Sequence, residues 1–505
     1  MSNRAHDGRL PRFAGILVAA AALLVCSGGG AAQVINQGAA PSPGSALVIP
    51  ASATTAPSAP APDLLDEPVE RSLPLPAGAR LTLKDAIGIA LQYHPRAAAA
   101  AAESGAAEEQ VGEARSYMGP QLYGLSEYLR STHNGTLNAS YYNPGGVLPR
   151  MPGVNHDLPI GDTEKSWNTD NNYANGLMVS QYLFDFGRRR GFVAQRRFEA
   201  AATREQQQLI DLDLIFDVSQ RYFDVLQARQ LVRVYEKAVE ERKIHLHEAQ
   251  VKANAGLRPQ LDVYVTEAEV QRAQLHLVDA RNAQADTLVA FDNALGLGGR
   301  SPGYDLVDVL SYSQITETLE ALLQDAMRLR PDMKALKNEA RAMGAQIDEY
   351  RSDYLPTVNA VGGYSAVGTG LPVTSNFNVG LEITWPIFNS YLTTHQVAEA
   401  TLRRKAIESQ IEDLRQRIIL EVKTAFLNWQ ASLQRIVRAE RTLAASRGEL
   451  ELAEKRYAAG LGDIVELEDA QRNYTADDAA YTNALYNFSL AKAAVDNATA
   501  RALPR

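Results

Sequence analysis

The sequence predicts a mainly α-helical chain with four β-strands, written as two copies of one helix-strand-strand-helix unit. Three observations predict it: apolar stripes at helical spacing that recur 204 residues apart, four segments of about ten residues that alternate at period two, and a pair of Ala-Gly-Leu turns. With 505 residues, 46% hydrophobic and 22% charged, the chain is long enough for such an architecture and is not compositionally disordered over most of its length. The formal charge of −9 supplies no excess positive field to replace phosphate counterions, which argues against a general nucleic-acid binder; the local run Arg188, Arg189, Arg190 does not reverse this.

The N-terminus carries Arg4, Arg9 and Arg12, then the apolar run "FAGILVAAAALLVC", then "SGGGAAQ". These are the three regions of a secretory signal peptide, with cleavage expected after Ala32, so residues 1–32 form a signal. The single cysteine, Cys26, leaves two alternatives: removal with the signal, or acylation as in a lipoprotein, against which Val25 stands where such signals carry Gly, Ala or Ser. On the first alternative the exported chain has no cysteine, and packing or assembly must stabilise it without disulfides. Residues 33–78, rich in Ala, Pro and Ser, read as an extended leader. Beyond the signal no run of about 18 apolar residues occurs, which argues against a membrane-spanning helix.

The copies occupy 79–300 and 301–505. In the first, a helix is predicted from about Leu81 to Tyr117, a strand from Pro120, a second strand from about Tyr173 to Phe184, a long helical stretch from Arg188 to about Asn254, a turn at Gly256 and a last helix to about Leu295. The second copy places its strands at about 356–366 and 376–388. Pro95 and Pro331, like Pro120 and Pro356, are 236 apart, whereas Phe184 and Phe388 are 204 apart; the difference falls in the 131–172 region, a loop that absorbs the insertion. The stripe Ile210, Leu214, Val218, Tyr222, Val225 returns as Leu414, Ile418, Val422, Phe426, Trp429. At about 1.5 Å per residue, 65 helical residues would reach on the order of 100 Å, a length found in coiled coils and bundles.

The strands have two faces. In "NFNVGLEITWPIF", Phe377, Val379, Leu381, Ile383 and Trp385 alternate with Asn378, Gly380, Glu382 and Thr384. Tyr173, Leu177, Val179 and Leu183 match Phe377, Leu381, Ile383 and Ile387 in face, and Val358, Ala360 and Tyr364 alternate with Thr357, Asn359 and Ser365. Ten residues suffice for a tilted transmembrane strand. Two readings remain at this point: hairpins packed on the helices of a soluble protein, or membrane staves. Four staves leave two open edges that a bilayer cannot satisfy, so the second reading requires several chains to pool strands, with Asn376, Asn378, Glu382 and Ser180 toward a polar lumen.

From about Leu81 onward the sequence resembles the TolC-like outer membrane efflux protein family, itself a two-copy repeat. The resemblance rests on "LTLKDAIGIALQYHPRAAAA", on "YMGPQLYG" and "YLPTVNAV" entering each first strand, on "QYLFDFGRRRG" and "TWPIFNS" leaving each second, and on the turns "AGLRPQLDV" and "AGLGDIVEL". It implies a homotrimer with a twelve-stranded outer-membrane β-barrel continued by a periplasmic α-barrel. It also implies outer-membrane lipid, a periplasmic adaptor and an inner-membrane transporter as partners, in a Gram-negative bacterium. The implied function is an exit channel for small molecules or secreted protein; the alternative is a periplasmic helical scaffold without a pore. No enzyme and no cofactor are expected.

The resemblance carries acidic constriction residues onto Asp262, Glu466 and Asp469, and a closed-state aromatic onto Tyr457. Where the family has a basic partner this chain has Gly462, with Arg258 in the first turn instead. Adaptor contact is expected at the turns, Gly256, Leu257, Gly460 and Leu461. The competing explanation of the acids is local: Asp463 as N-cap, Glu466 three residues on as in a capping box, and acids suited to the helix dipole. His245 and His247, two apart on a helix, face different ways and make a poor metal pair. "ALGLGG" at 294–299 follows a helix, which favours a chain reversal over a nucleotide loop.

Overall fold

The computed structural model describes residues 78–132, 169–298, 303–308, 316–368 and 373–503. The signal, nearly all of the leader, Cys26 and most of the 131–172 loop lie outside the described residues. The first copy runs β1 (Arg80–Leu81), α1 (Leu83–Tyr93), α2 (Pro95–Ser116), β2 (Gln121–Thr132), β3 (Thr169–Phe184), α3 (Arg188–Asn254) and α4 (Gln260–Ala294). The second runs β4 (Asp305–Leu306), α5 (Leu319–Leu329), α6 (Pro331–Ser352), β5 (Thr357–Gly368), β6 (Thr374–Thr384), α7 (Leu392–Ala458) and α8 (Ile464–Ala498). Helix lengths agree pair for pair: 67 residues in α3 and α7, 35 in α4 and α8, 22 in α2 and α6 and 11 in α1 and α5.

The first helix differs from expectation, because the stretch from Leu81 to Tyr117 is broken at His94-Pro95. Proline excludes helical backbone from the residue before it, and His94 is extended at φ −69, ψ 130. His94 then caps the next helix, its Nδ1 accepting from the Arg96 N–H at 3.1 Å. Arg330 before Pro331 repeats the break at φ −57, ψ 124.

The chain divides into two compact units, each drawing on both copies. The helical unit pairs α3 with α4 and α7 with α8, while α2 and α6 pack along α3. Its core is the predicted stripe: Leu214, Val218, Tyr222 and Val225 are buried, and so are Leu414, Ile418, Val422, Phe426 and Trp429. The short strands β1 and β4 pair in parallel, and the Tyr222 hydroxyl is 3.1 Å from the Leu81 carbonyl and 2.6 Å from that of Val307, tying both strands to α3. The stretch from Ala294 to Gly298 reverses the chain as expected. Leu297 N–H donates to the Asp292 carbonyl and Gly296 N–H to that of Asn293, a Schellman closure with Gly296 at φ 77.

The sheet unit is antiparallel with strand order β2-β3-β5-β6, leaving β2 and β6 as its edges. Register puts Val179 opposite Leu122 and Gly362, and Gly362 opposite Val379; Tyr364 lies between Leu177 and Phe377. One face therefore gathers the apolar residues, and Phe377, Val379, Leu381 and Ile383 are 69–85% exposed on it. Toward the loop end this face turns aromatic and polar. Tyr128, Tyr173 and Tyr364 stand there, with the Tyr128 hydroxyl on Asn171 Oδ1 at 2.9 Å and the Tyr364 hydroxyl on Ser375 Oγ at 2.9 Å. The other face holds Ser180, Asn359, Asn376, Asn378 and Glu382 as expected, and Gly363 makes room for Asn378, whose Oδ1 would lie 2.7 Å from a Cβ at that position. Two details correct the sequence expectation. A bulge between Tyr182 and Phe184 puts Phe184, not Leu183, opposite Val358. Strand β6 ends at Thr384, so Trp385 and Ile387 lie beyond it.

Candidate functional site

The turns closing the two long hairpins are built alike. Leu257 N–H donates to the Lys252 carbonyl and Gly256 N–H to that of Ala253; Leu461 and Gly460 repeat this on Arg456 and Tyr457. Each is a Schellman motif with glycine in left-handed backbone, at φ 72 and φ 77, which projects Leu257 and Leu461 into solvent.

The turns meet through Arg258. Its guanidinium donates to the Gly462 carbonyl at 2.9 Å and stands 4.9 Å from the centroid of the buried Tyr457 ring. Lys252 Nζ lies 4.6 Å from the same centroid, so two cations from the first hairpin hold one aromatic of the second. Gly462 is itself confined, since a Cβ there would lie 3.1 Å from Arg456 Cβ and from Tyr457 N. Lacking a basic side chain in the second turn, the chain supplies one from the first.

Asp262 is buried beside this contact, and its Oδ2 has no hydrogen-bond partner among the described residues. Burial raises its pKa, Arg258 draws it back and Asp463 reinforces the rise. The Tyr457 hydroxyl is equally without a partner, and burial, then Asp262, raises its pKa. Glu466 and Asp469 sit differently: both are exposed, Glu466 3.0 Å from Arg456 Nε and Asp469 against Arg472. The capping box is not formed. Asp463 holds the N-cap position of α8 but its side chain makes no capping bond, and Glu466 turns to Arg456 instead. The structure thus brings Asp262 and Tyr457 together around Arg258 and leaves Glu466 and Asp469 as surface ion pairs. Sequence reasoning located the turns but did not connect Arg258 to Gly462; the signal was the complementary swap of a glycine and an arginine between equivalent turns.

His245 is mostly buried, its Nε2 3.8 Å from Glu454 Oε1, whereas His247 is exposed, and no group of three or more metal-ligating side chains assembles among the described residues.

The model of the family described as "Outer membrane efflux protein" matches residues 86–297 and 322–501. The chain belongs to the outer membrane efflux protein family. That membership places it in the outer membrane and sets aside the soluble scaffold. Among curated relatives, it is 24% identical over 354 residues to Protein CyaE of Bordetella pertussis, covering 68% of this chain and 73% of that one. It is 23% identical over 417 residues to the outer membrane protein TolC of Escherichia coli, covering 78% and 77%. The cation efflux system protein CusC of Escherichia coli is 25% identical over 340 residues, covering 64% and 72%. Two solved structures share the fold. A CusC structure has TM-score 0.69 at 20% identity, covering 85% of this chain and 95% of that one. The open state of the Neisseria gonorrhoeae MtrE outer membrane channel has TM-score 0.64 at 19% identity, covering 83% and 88%.

Proposed function

We propose that this efflux protein is a passive exit duct, working as a homotrimer with a periplasmic adaptor and an inner-membrane transporter that supplies the energy. The observation that carries it is the sheet unit, four strands with a broad apolar face, an aromatic and polar rim and two edge strands, β2 and β6, that each border a single strand among the described residues. In a bilayer those edges must pair with other copies, and three copies close twelve strands. The polar face then lines the pore. The paired turns form the periplasmic entrance, where Asp262, Glu466 and Asp469 create a cation-favouring ring and Gly256, Leu257, Gly460 and Leu461 meet the adaptor. The relatives include a cation efflux protein, and the cargo here is a small solute or a secreted protein.

Single-channel recording of the purified protein in a planar bilayer tests this, set beside a variant carrying Asp262→Ala, Glu466→Ala and Asp469→Ala. Discrete cation-selective steps that grow or lose selectivity in the variant support the duct and its acidic entrance. Unchanged conductance and selectivity would return the acids to local structural roles, and folded protein that never conducts would refute the duct.

A further inference from the structure

Arg242 of α3, Glu269 of α4 and Glu468 and Gln471 of α8 are all buried where the two hairpins pack near their turns. One buried guanidinium faces two carboxylates. Glu269 has a second cation in Arg272, which reaches it from the exposed side of α4. Glu468 makes no such close contact: its carboxylate comes no closer than 4.0 Å to Arg242 Nε, Arg472 and Arg272 act on it only through space, and neither its two oxygens nor that nitrogen makes a hydrogen bond among the described residues. The Gln471 amide, one helical turn on, is also without a partner on either atom. Glu468 is 2% exposed and Gln471 3%, so bulk solvent does not reach either side chain.

An ionised carboxylate in this place forfeits hydration and gains only a long ion pair, a net cost in a low-dielectric interior. A neutral carboxyl suits it better. It carries a donor, and Gln471 Oε1, three residues along the same helix, is an unoccupied acceptor. The groups facing Glu468 are few: Arg242 from α3, Glu269 and Arg272 from α4, Arg472 from its own helix and Tyr457 from α7.

We propose that Glu468 is a proton-loaded latch at the entrance: protonated, it holds α8 of the second hairpin against α3 and α4 of the first, and its ionisation favours their separation. The proposal deepens the exit-duct reading and rests on it. In the closed arrangement burial pushes Glu468 up from 4.5 to about 7, with Arg242 opposing and Glu269 reinforcing the rise. Parting the hairpins admits water and returns the group toward 4.5. The closed form therefore binds the extra proton, and its advantage is complete at low pH, shrinks as pH rises and is gone above about 7. Across that window the open-to-closed ratio rises by up to about tenfold per pH unit per protomer.

The neighbours give the latch a signature that loss of packing would not imitate. Replacing Arg242 by Gln removes the charge that favours ionisation and moves the transition to higher pH. Replacing Glu269 by Gln removes the like charge and moves it to lower pH. The test is open probability of the full-length protein in a planar bilayer from about pH 5 to pH 8, with infrared difference spectra of the same trimers reporting the protonated carboxyl directly. Expected are a wild-type rise in opening with pH, a flat and more closed response over this window in Glu468→Gln, opposite displacements in Arg242→Gln and Glu269→Gln, and a carboxyl band that Glu468→Gln lacks. A band without conductance would keep the proton on Glu468 while refuting the duct. A wild-type pH response retained in Glu468→Gln, displacements in the same direction, or no Glu468 band in conducting trimers would overturn the latch.

Discussion

Arg258 shows how one side chain substitutes for a partner the second turn lacks. It satisfies the Gly462 carbonyl and covers Tyr457, joining hairpins that the backbone leaves separate. A charge-assisted hydrogen bond with a cation–π contact is worth about 1–3 kcal/mol. Arg258→Ala is thus expected to raise spontaneous opening by roughly 5- to 150-fold, read as leak conductance in bilayers, while Arg258→Lys recovers only part because it lacks the planar fork. Asp469 offers the contrast: its exposed pair with Arg472, three residues along α8, contributes about half a kcal/mol at most. Asp469→Ala should leave opening unchanged and show only in ion selectivity; a leak equal to that of Arg258→Ala would contradict this ranking. The sequence placed Asp262 and Tyr457 correctly at the turns. It hid their burial and the Arg258 contact, because both depend on how two segments 204 residues apart approach one another.

At the scale of elements, what was legible followed period and punctuation. The 67-residue helices and the glycine turns stand where apolar spacing and Ala-Gly-Leu placed them. The break before Pro95 is equally written in the sequence, where a proline interrupts an otherwise continuous helical pattern. The backbone where the chain enters the long helices was not legible, since Phe186, Ser390 and Tyr391 take positive φ of 51, 54 and 64 without being glycine. The bulge at Tyr182/Phe184 left no period-two signature either. The glycines separate in consequence. A Cβ on Gly296, at φ 77, would lie 2.8 Å from His94 Cα, whereas at Gly256, φ 72, it meets nothing within 4 Å. Gly256→Ala pays only for left-handed backbone, about 1–2 kcal/mol. Gly296→Ala adds a backbone collision that must displace the α1–α2 junction. Thermal melting in detergent should show the larger loss for Gly296→Ala, and equal melting would mean that the junction yields freely.

For the whole molecule, the two faces of the sheet and its two open edges carry the same inference. Alternation made the faces visible in the sequence, but which strands are neighbours was not, since β3 and β5 pair across the boundary between the copies. On the trimeric reading, Leu381 and Glu382 are adjacent residues with opposite surroundings, lipid for one and lumen for the other. An arginine facing lipid near mid-bilayer costs about 2–4 kcal/mol, and a trimer pays it three times. Leu381→Arg should therefore deplete trimers from the outer membrane fraction. Glu382→Arg should assemble normally and move selectivity toward anions, because its side chain shares the face of Asn359 and Asn378 and would meet water in the pore. Measuring trimer yield by gel migration and reversal potential in a salt gradient separates these outcomes. If both variants lost assembly equally, the face opposite Leu381 would be packed against protein, and a water-filled lumen lined by this sheet would be excluded.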